Sequence, residues 1–445
     1  MRSLDPLFYP KSVALIGASA TEDKLGGIVL KNLLGLKGRI YPVNPNYGEL
    51  MGLKAYPSIT DVPETVDLSI IMRPAAEAPG ILRQHAGKAR FALVVSAGFA
   101  EIGASELQEE LARIGREAGV RLVGPNCLGI YNPYHGLDTM FLPHSRLKKP
   151  GRGNMAIVSQ SGAVMVCLLE AVRQANTGVS KVFNYGNAVD LDASDMFEYL
   201  AGDQDTRVVI SYLESVGDGR GFIEAARKLA DAKPLVVLKA GKGAGGQKAA
   251  FSHTGRLAGS YEVFRSVLRQ FRIREAADYD VLLDAAKALS FQRSAPGKRV
   301  CVITNGGGSG VLAADECMRA GLDVPALPEP VADRLRAMFP PFYVLGNPID
   351  LTGQVRTDDY RVALEGVRDA YDGFIIIALT GVAGVTLELA GIVRDFAAAA
   401  GKPVVVHIAQ GGIAGKLSAL MEKSKIPVYQ SPERAVRAMG MLLGG

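Results

Sequence analysis

Three short segments of the chain follow one pattern, a run of β-branched and other apolar residues that ends in small residues. They are KSVALIGAS at 11–19, GNMAIVSQSG at 153–162 and KRVCVITNGGGSG at 298–310, roughly 140–145 residues apart. Further apolar runs follow each, alternating with amphipathic segments such as RGFIEAARKLAD at 220–231. Unbroken apolar runs are typical of strands buried on both faces of a parallel sheet. The pattern therefore predicts three doubly wound α/β domains.

The length of the chain agrees with several domains, because 445 residues exceed what one hydrophobic core usually supports. Two segments rich in proline, glycine or charge, at 132–153 and 292–298, are interpreted as linkers. We predict domains at residues 1–130, 150–294 and 298–445.

Composition excludes several classes of protein. The net charge of +5 is mildly basic, but the basic residues form no run, which gives nucleic-acid binding little support. The amino terminus lacks the apolar core of a signal peptide, and no apolar stretch is long enough for a membrane span, so we expect a cytoplasmic protein. The four cysteines form no C-x-x-C pair, which argues against a disulfide framework or a zinc site. They are Cys127, Cys167, Cys301 and Cys317.

The strands of the first domain end in small, polar turns, where open parallel sheets bind ligands. Glycine and serine let backbone amides approach a phosphate closely, and the next helix adds its positive N-terminus. Small residues also suit tight turns without a ligand, and VALIGAS lacks the G-x-G-x-x-G of a dinucleotide site, so the pattern alone names no ligand. The strand-end residues are Gly17, Ala18, Ser19, Asn44, Pro45, Arg73, Pro74, Ser96, Ala97, Gly98, Asn126 and Cys127.

Several motifs occur together in one order, which is more specific than any of them alone. They are PKSVALIGAS, YPVNP, SAGF, GPNCLG, VSQSGA, YGNAVD, SYLES, KAGKGAGGQKAAFSHTG and GNPIDLTG. Over nearly its whole length the chain resembles the alpha subunits of ADP-forming acetate–CoA ligases, NDP-forming acyl-CoA synthetases related to succinyl-CoA synthetase. The resemblance implies a Rossmann-like CoA-binding domain followed by two flavodoxin-like domains. It also implies that Lys24 and the strand-end residues bind coenzyme A, although a small buried thiol would explain Cys127 nearly as well.

The resemblance implies that His253 is phosphorylated during the reaction. A neutral imidazole can attack a phosphoryl group and so divide one difficult transfer into two. The glycine-rich segment Gly241–Gly255 is predicted to be an exposed loop, and it lacks the G-K-[ST] ending of a P-loop. Glu214, at a strand end, would accept a hydrogen bond from the ring and fix its tautomer. The alternatives are a structural histidine and an ordinary surface glutamate.

Two strand-to-helix turns are predicted to hold the phosphoryl group, because helix N-termini favour anions. The residues are Ser159, Gln160, Ser161 and Gly162 in one turn and Gly307, Gly308, Ser309 and Gly310 in the other. The second turn also loosely fits a dinucleotide motif, but no acidic residue follows at the required distance. Asp190, Asp192 and Asp195 are interpreted as a solvated loop or helix cap rather than a metal site. No metal site is predicted.

No segment of the chain resembles an ATP site. In the family that task belongs to an ATP-grasp module, so the chain is predicted to act with an ATP-grasp beta subunit, as an α2β2 heterotetramer. Together they would convert acyl-CoA, ADP and phosphate to a carboxylic acid, CoA and ATP, with Mg-ADP or Mg-ATP bound by the partner. Two alternatives are a non-catalytic CoA-binding regulator, which would not need His253 and Glu214, and a nicotinamide dehydrogenase, which would need G-x-G-x-x-G.

Overall fold

A computed structural model describes residues 3–248, 259–409 and 411–444, and the chain forms two compact units, Met1–Glu275 and Ala276–Gly445. The first unit contains two large sheets and the second unit contains one. Each sheet is mainly parallel and carries helices between its strands, which confirms the predicted α/β class. Within the described residues, no helix has the length and apolar character needed to cross a membrane.

The first sheet has five parallel strands, and the first strand of the chain lies between the second and the third. In spatial order the strands are Arg39–Val43, Ser12–Ile16, Val66–Ile71, Ala89–Val94 and Arg121–Val123. The order reverses beside Ser12–Ile16, and such a switch point opens a crevice at the carboxyl ends of the strands. The α-helices of this region are Asp5–Phe8, Leu25–Leu33, Ala78–Arg83 and Ser105–Ala118, with 3₁₀ turns at Ile59–Asp61, Ala75–Glu77 and Ala100–Ile102. A small hairpin pairs Glu49–Leu50 with Leu53–Lys54.

The second sheet repeats this strand order and adds two antiparallel edge strands. In spatial order its strands are Arg274–Glu275, Leu235–Lys239, Val208–Leu213, Arg152–Ser159, Val179–Asn184, Gly129–Asn132 and Leu137–Asp138. Its helices are Gly162–Gln174, Ala193–Gly202, Gly219–Ala232 and Tyr261–Gln270. The interpretation of 132–153 as a linker is wrong for the residues in the edge strands, because main-chain pairing at a sheet edge needs no long apolar run.

The second unit contains a six-stranded sheet of the same design. In spatial order its strands are Val344–Leu345, Ile349–Asp350, Val300–Thr304, Gly373–Leu379, Val404–Ala409 and Val428–Tyr429, and only the first pair is antiparallel. Its helices are Tyr279–Phe291, Gly307–Arg319, Glu329–Met338, Thr357–Val367, Leu389–Ala400, Ala414–Lys423 and Pro432–Leu443. The first of these helices precedes residue 298 but packs in this unit, where Asp284 accepts two 2.7 Å hydrogen bonds from Arg434. The predicted domain limits stay a prediction.

The apolar runs of the sequence form the buried centres of the sheets. Every residue of Ser12–Ile16, Val66–Ile71 and Leu235–Lys239 is buried. Helix Gly219–Ala232 begins at Asp218, whose side chain accepts a hydrogen bond from the Arg220 backbone N–H. The helix buries Phe222, Ala225, Ala226 and Leu229 on one face, as its amphipathic pattern predicts.

A buried histidine makes the stability of the first unit depend on pH. The His85 side chain is inaccessible, its Nε2 lies 2.8 Å from the Ser69 hydroxyl, and its Nδ1 lies 2.9 Å from the Ile81 carbonyl oxygen. The carbonyl can only accept, so Nδ1 carries a proton, and in the neutral ring Nε2 accepts from Ser69. Burial lowers the pKa of His85 from 6.5 to about 4.

We expect the free energy of unfolding to fall as the pH drops from about 6.5 towards 4. In that window the unfolded chain binds a proton at residue 85 and the folded chain does not, so acid favours unfolding by up to about 1.4 kcal/mol per pH unit. Chemical denaturation between pH 7 and pH 4 measures the slope. His85→Gln should reduce it, whereas the exposed His144→Gln should not, and equal slopes in both variants would contradict the assignment.

Candidate active site

The first strand-end turn of the first sheet is held close to its neighbours by glycine. Gly17 has φ +88°, and a Cβ atom there would lie 2.8 Å from the Met72 carbonyl oxygen. A Cβ atom on Gly26, in the following helix, would lie 2.0 Å from the Gly17 carbonyl oxygen. The turn at Asn44 is hydrogen-bonded to this first turn, because Asn44 Nδ2 donates to the Ala18 carbonyl oxygen at 2.8 Å. Backbone therefore lines this part of the rim, with little side-chain bulk.

Three further strand ends of the first sheet are hydrogen-bonded into one wall. The Asn126 backbone N–H donates to the Ser96 carbonyl oxygen at 2.8 Å. The Ser96 hydroxyl donates in turn to the Arg73 carbonyl oxygen. The Arg73 guanidinium is exposed and pairs with Glu77 at 2.8 Å, four residues along the chain.

The middle sheet contributes the N-terminus of a long helix. Ser161 caps helix Gly162–Gln174 by accepting a hydrogen bond from the Val164 N–H. The buried Ser159 hydroxyl donates to the Ser161 carbonyl oxygen at 2.8 Å and fixes the turn. Gln160 ties this turn to the next strand end, because its Oε1 accepts from the backbone N–H groups of Glu214 at 2.9 Å and Ser215 at 3.0 Å.

Glu214 is a buried carboxylate, with 5% of its surface exposed, so the interpretation as an ordinary surface glutamate is wrong. It follows strand Val208–Leu213, and the Lys239 ammonium donates to its backbone carbonyl oxygen at 2.7 Å. The pKa of Tyr212 is raised to about 12 by burial, by the nearby negative charge of Glu214 and by a hydrogen bond to that carboxylate. These contacts fix the backbone of Glu214, and Tyr212 donates a hydrogen bond to its carboxylate.

A cavity of about 650 Å³ in the first unit brings these turns together. It is lined by ten of the residues predicted from the sequence, namely Arg73, Pro74, Ser96, Ala97, Asn126, Cys127, Gln160, Ser161, Gly162 and Glu214. The other predicted residues of this unit that the structure describes lie outside its wall. They are Gly17, Ala18, Ser19, Lys24, Asn44, Pro45 and Gly98 along the first sheet, and Ser159, which is fully buried.

The remaining residues of the cavity wall were not predicted from the sequence. They are Leu25, Met72, Val95, Leu128, Phe141, Leu142, Ala163, Val166, Gly186 and Asn187. The YGNAVD motif contains Gly186 and Asn187, and its place after a strand was a signal that could have marked them. Phe141 and Leu142 had no such signal, because they reach the cavity from the segment interpreted as a linker. Asn32 holds that segment by donating from Nδ2 to the Met140 and Leu142 carbonyl oxygens at 2.8 and 3.1 Å.

Cys127 lies in the cavity wall, but its thiol is buried and its pKa is raised. The side chain is 4% exposed, and Sγ donates to the Val94 carbonyl oxygen at 3.3 Å. Burial raises the pKa of this thiol far above its ordinary value. Its burial and its raised pKa argue against a role as a nucleophile.

Among the residues that the structure describes, the others considered in the sequence analysis are not part of this cavity wall. Gly307–Gly310 form the first turn of helix Gly307–Arg319 in the second unit, and the Gly306 N–H donates to the Thr304 hydroxyl at 3.0 Å. Asp192 caps helix Ala193–Gly202, which confirms its interpretation as a cap. His253 lies outside the described residues. The preceding residues 244–248 are helical despite the poor helix propensity of Gly245 and Gly246, so the predicted loop is wrong for that part.

Three known domain families match the chain and define its class. A CoA binding domain matches residues 11–133, a succinyl-CoA ligase like flavodoxin domain matches 152–289, and a ligase-CoA domain matches 300–441. These matches place the chain among proteins with CoA-ligase domains, and the cavity is lined by residues of the first two domains.

Comparison with individual proteins identifies the family within this class to which the chain belongs. The chain is 37% identical to the alpha subunit of ADP-forming acetate–CoA ligase II from Pyrococcus furiosus, over 98% of this chain and 96% of that protein. It is 39% identical to ADP-forming acetate–CoA ligase I from Archaeoglobus fulgidus, but it spans only 63% of that protein. The solved acetyl-coenzyme A synthetase 1 of Ca. Korarchaeum cryptofilum, in complex with phosphate and ADP, superimposes with a TM-score of 0.93 at 36% identity, over 99% of this chain and 96% of that one. The chain belongs to the family of ADP-forming acetate–CoA ligases.

Proposed function

We propose that the chain is the alpha subunit of an ADP-forming acyl-CoA synthetase. It would interconvert acyl-CoA, ADP and phosphate with a carboxylic acid, CoA and ATP, through an acyl phosphate and a phosphorylated His253. One observation carries the proposal: the turns of a CoA-binding domain share one cavity with a helix N-terminus and the buried Glu214 carboxylate. Thiol, acyl and phosphoryl groups can meet in such a cavity.

Coenzyme A is the proposed ligand of the first domain. The backbone-lined rim at Gly17 suits the phosphates of a long ligand, because a side chain there would clash with the Met72 carbonyl oxygen. Arg73 supplies a positive charge beside the cavity. The apolar wall residues Met72, Val95 and Leu128 suit the less polar thiol end of the ligand.

The phosphoryl group is proposed to lie against helix Gly162–Gln174. Backbone N–H groups at a helix N-terminus stabilise an anion by roughly 0.3–2 kcal/mol, depending on burial. Glu214 would accept a hydrogen bond from one nitrogen of the His253 ring and leave the other as the nucleophile. Gly307–Gly310 are the proposed second phosphate-binding turn.

Nucleotide chemistry is assigned to a partner. An ATP-grasp beta subunit would bind Mg-ADP or Mg-ATP in a cytoplasmic α2β2 assembly. The name of the Pyrococcus relative, a subunit alpha, supports a partner of some kind. A regulatory CoA-binding protein is the weaker alternative, because it would have no use for a buried carboxylate held beside a helix N-terminus.

We expect coenzyme A to bind the full chain and Arg73→Met to weaken that binding about fivefold, or roughly 1 kcal/mol, through loss of a charge-assisted contact. The loss should shrink at high salt. Isothermal titration calorimetry measures both affinities. Arg113→Met is the matched control, because Arg113 forms the same type of pair with Glu117 at 2.8 Å outside the cavity. Binding of NAD in place of coenzyme A would contradict the ligand assignment.

A further inference from the structure

The turns that line the cavity are joined across the two domains by a chain of side-chain hydrogen bonds. Asn187, after strand Val179–Asn184 of the middle sheet, is 3% exposed. Its Nδ2 donates to Glu101 Oε2 at 2.6 Å and to Gln108 Oε1 at 2.9 Å, and both of these acceptors belong to the first domain. Its Oδ1 accepts from Asn126 Nδ2 at 3.3 Å. The amide therefore has a defined orientation, since reversal would face its oxygen towards the Glu101 carboxylate, which can only accept.

Glu101 continues the chain to the residues that directly follow the wall residues Ser96 and Ala97. Its Oε1 accepts from the backbone N–H of Gly98 and, at 3.1 Å, from that of Phe99. All three of these partners, Asn187 included, are donors, which favours the ionised carboxylate. Burial alone would raise the pKa of Glu101, but the hydrogen bonds from Gly98, Asn187 and Phe99 outweigh it and lower the pKa.

The backbones beneath these side chains are packed without space for adjustment. A Cβ atom on Gly186 would lie 2.1 Å from the Asn126 carbonyl oxygen. The Asn187 N–H donates to the Pro125 carbonyl oxygen at 3.0 Å, and the Val189 N–H donates to that of Gly124 at 3.0 Å. A displacement of residues 186–187 would therefore move the 124–126 turn as well.

We propose that Asn187 and Glu101 are positioning residues for thioester formation, an inference that rests on the proposed function. They align the Ser96–Gly98 and Asn126 turns, assigned to coenzyme A, with the Ser161–Gly162 helix N-terminus, assigned to the phosphoryl group. In the step concerned, the sulfur of CoA bonds to the acyl carbon of an acyl phosphate. The carbon–oxygen bond to the phosphate breaks, inorganic phosphate leaves, and the thiol proton passes to that phosphate. Small displacements of reacting groups cost large factors in rate.

Two partial reactions of the full chain test this role, with acetyl phosphate as the probe. Acetyl [³²P]phosphate alone should label the chain, while acetyl phosphate with CoA should give acetyl-CoA. Glu101→Gln sets a donor against a donor, and Asn187→Asp sets two carboxylates together. Each should lower kcat/KM for CoA at least tenfold and leave labelling within twofold of the unaltered chain.

The double variant Glu101→Gln/Asn187→Asp reverses the bond without changing net charge. The new amide at 101 can donate to the new carboxylate at 187 while its oxygen accepts from Gly98 and Phe99, and the Gln108 amide can rotate to donate. We expect kcat/KM for CoA to recover to within about threefold, a non-additivity that reports direct coupling. Glu106→Gln, on the exposed side of the adjacent helix, is the matched control and should change neither reaction.

The possible results separate this inference from the proposed function. Equal losses of labelling and thioester formation, or a double variant no better than the single ones, would assign the pair a purely structural role and overturn the inference. Unchanged kinetics in both single variants would overturn it too. If the unaltered chain carried out neither reaction, the proposed function would be overturned, and this inference with it.

Discussion

Replacing His253 by alanine is expected to abolish phosphate incorporation into the chain. The assembled enzyme, incubated with labelled ATP or with labelled phosphate and acyl-CoA, should carry an acid-labile, base-stable label, as a phosphoramidate does. Without the imidazole there is no nitrogen to accept the phosphoryl group. His144→Ala is the matched control, because His144 is exposed and lies outside the cavity wall. Label at wild-type levels in His253→Ala would contradict the histidine assignment.

Glu214→Gln should slow the same labelling by roughly 10²-fold or more. The amide keeps the shape of the side chain but removes the charge that would fix the tautomer of the ring, and loss of such a partner is costly in other enzymes. Single-turnover labelling measures the rate. Glu198→Gln, at a half-buried carboxylate paired with Lys228, controls for loss of a negative charge in the same domain. Equal rates in Glu214→Gln and Glu198→Gln would assign no catalytic role to Glu214.

The chain alone is expected to incorporate label from phosphate and acyl-CoA but to form no ATP from ADP. The cavity holds the residues assigned to thiol and phosphoryl chemistry, whereas the nucleotide is assigned to an ATP-grasp partner. ATP formation, followed by a luciferase assay, should rise by orders of magnitude when that partner is added.

His253 would then act as the carrier between two sites, with the glycine-rich residues 241–246 as its hinge, of which 241–243 precede the helical residues 244–248. His253→Ala supplied with the partner is the control and should form no ATP. ATP synthesis by the purified single chain would mean that a nucleotide site, most simply at Gly306–Gly310, had been missed.

Local sequence patterns predicted the architecture well. The runs SVALI, VDLSII and LVVLK became fully buried strands, because strands buried on both faces are mostly apolar. Their few polar residues, Ser12, Asp67, Ser69 and Lys239, are hydrogen-bonded. The turns at the carboxyl ends of the predicted strands led to the prediction of Arg73, Ser96, Asn126, Ser161 and Gly162 as site residues, and these residues do line the cavity. A few consecutive residues are enough to predict where a strand lies and which turn at its carboxyl end can bind a ligand.

The grouping of those turns was decided by tertiary structure. Gly17 and Asn44 have the same small-turn chemistry as Ser96 and Asn126, yet they lie outside the cavity wall, which other strand ends of the first sheet form together with residues of the middle domain. Phe141 and Leu142 enter the wall from a segment whose composition suggested a linker, held there by Asn32, more than 100 residues earlier in the chain.

By itself, the sequence determined three parallel α/β sheets, the turns at their carboxyl ends and the family whose motifs the chain carries. Only the tertiary structure decided that Glu214 is buried beside Gln160 and that Asn187 bonds to Glu101, 86 residues away in the chain. The physical reason is that apolar periodicity and turn propensity act over a few neighbouring residues. A hydrogen bond between two domains, in contrast, depends on how their complete surfaces fit, and no short pattern encodes that fit.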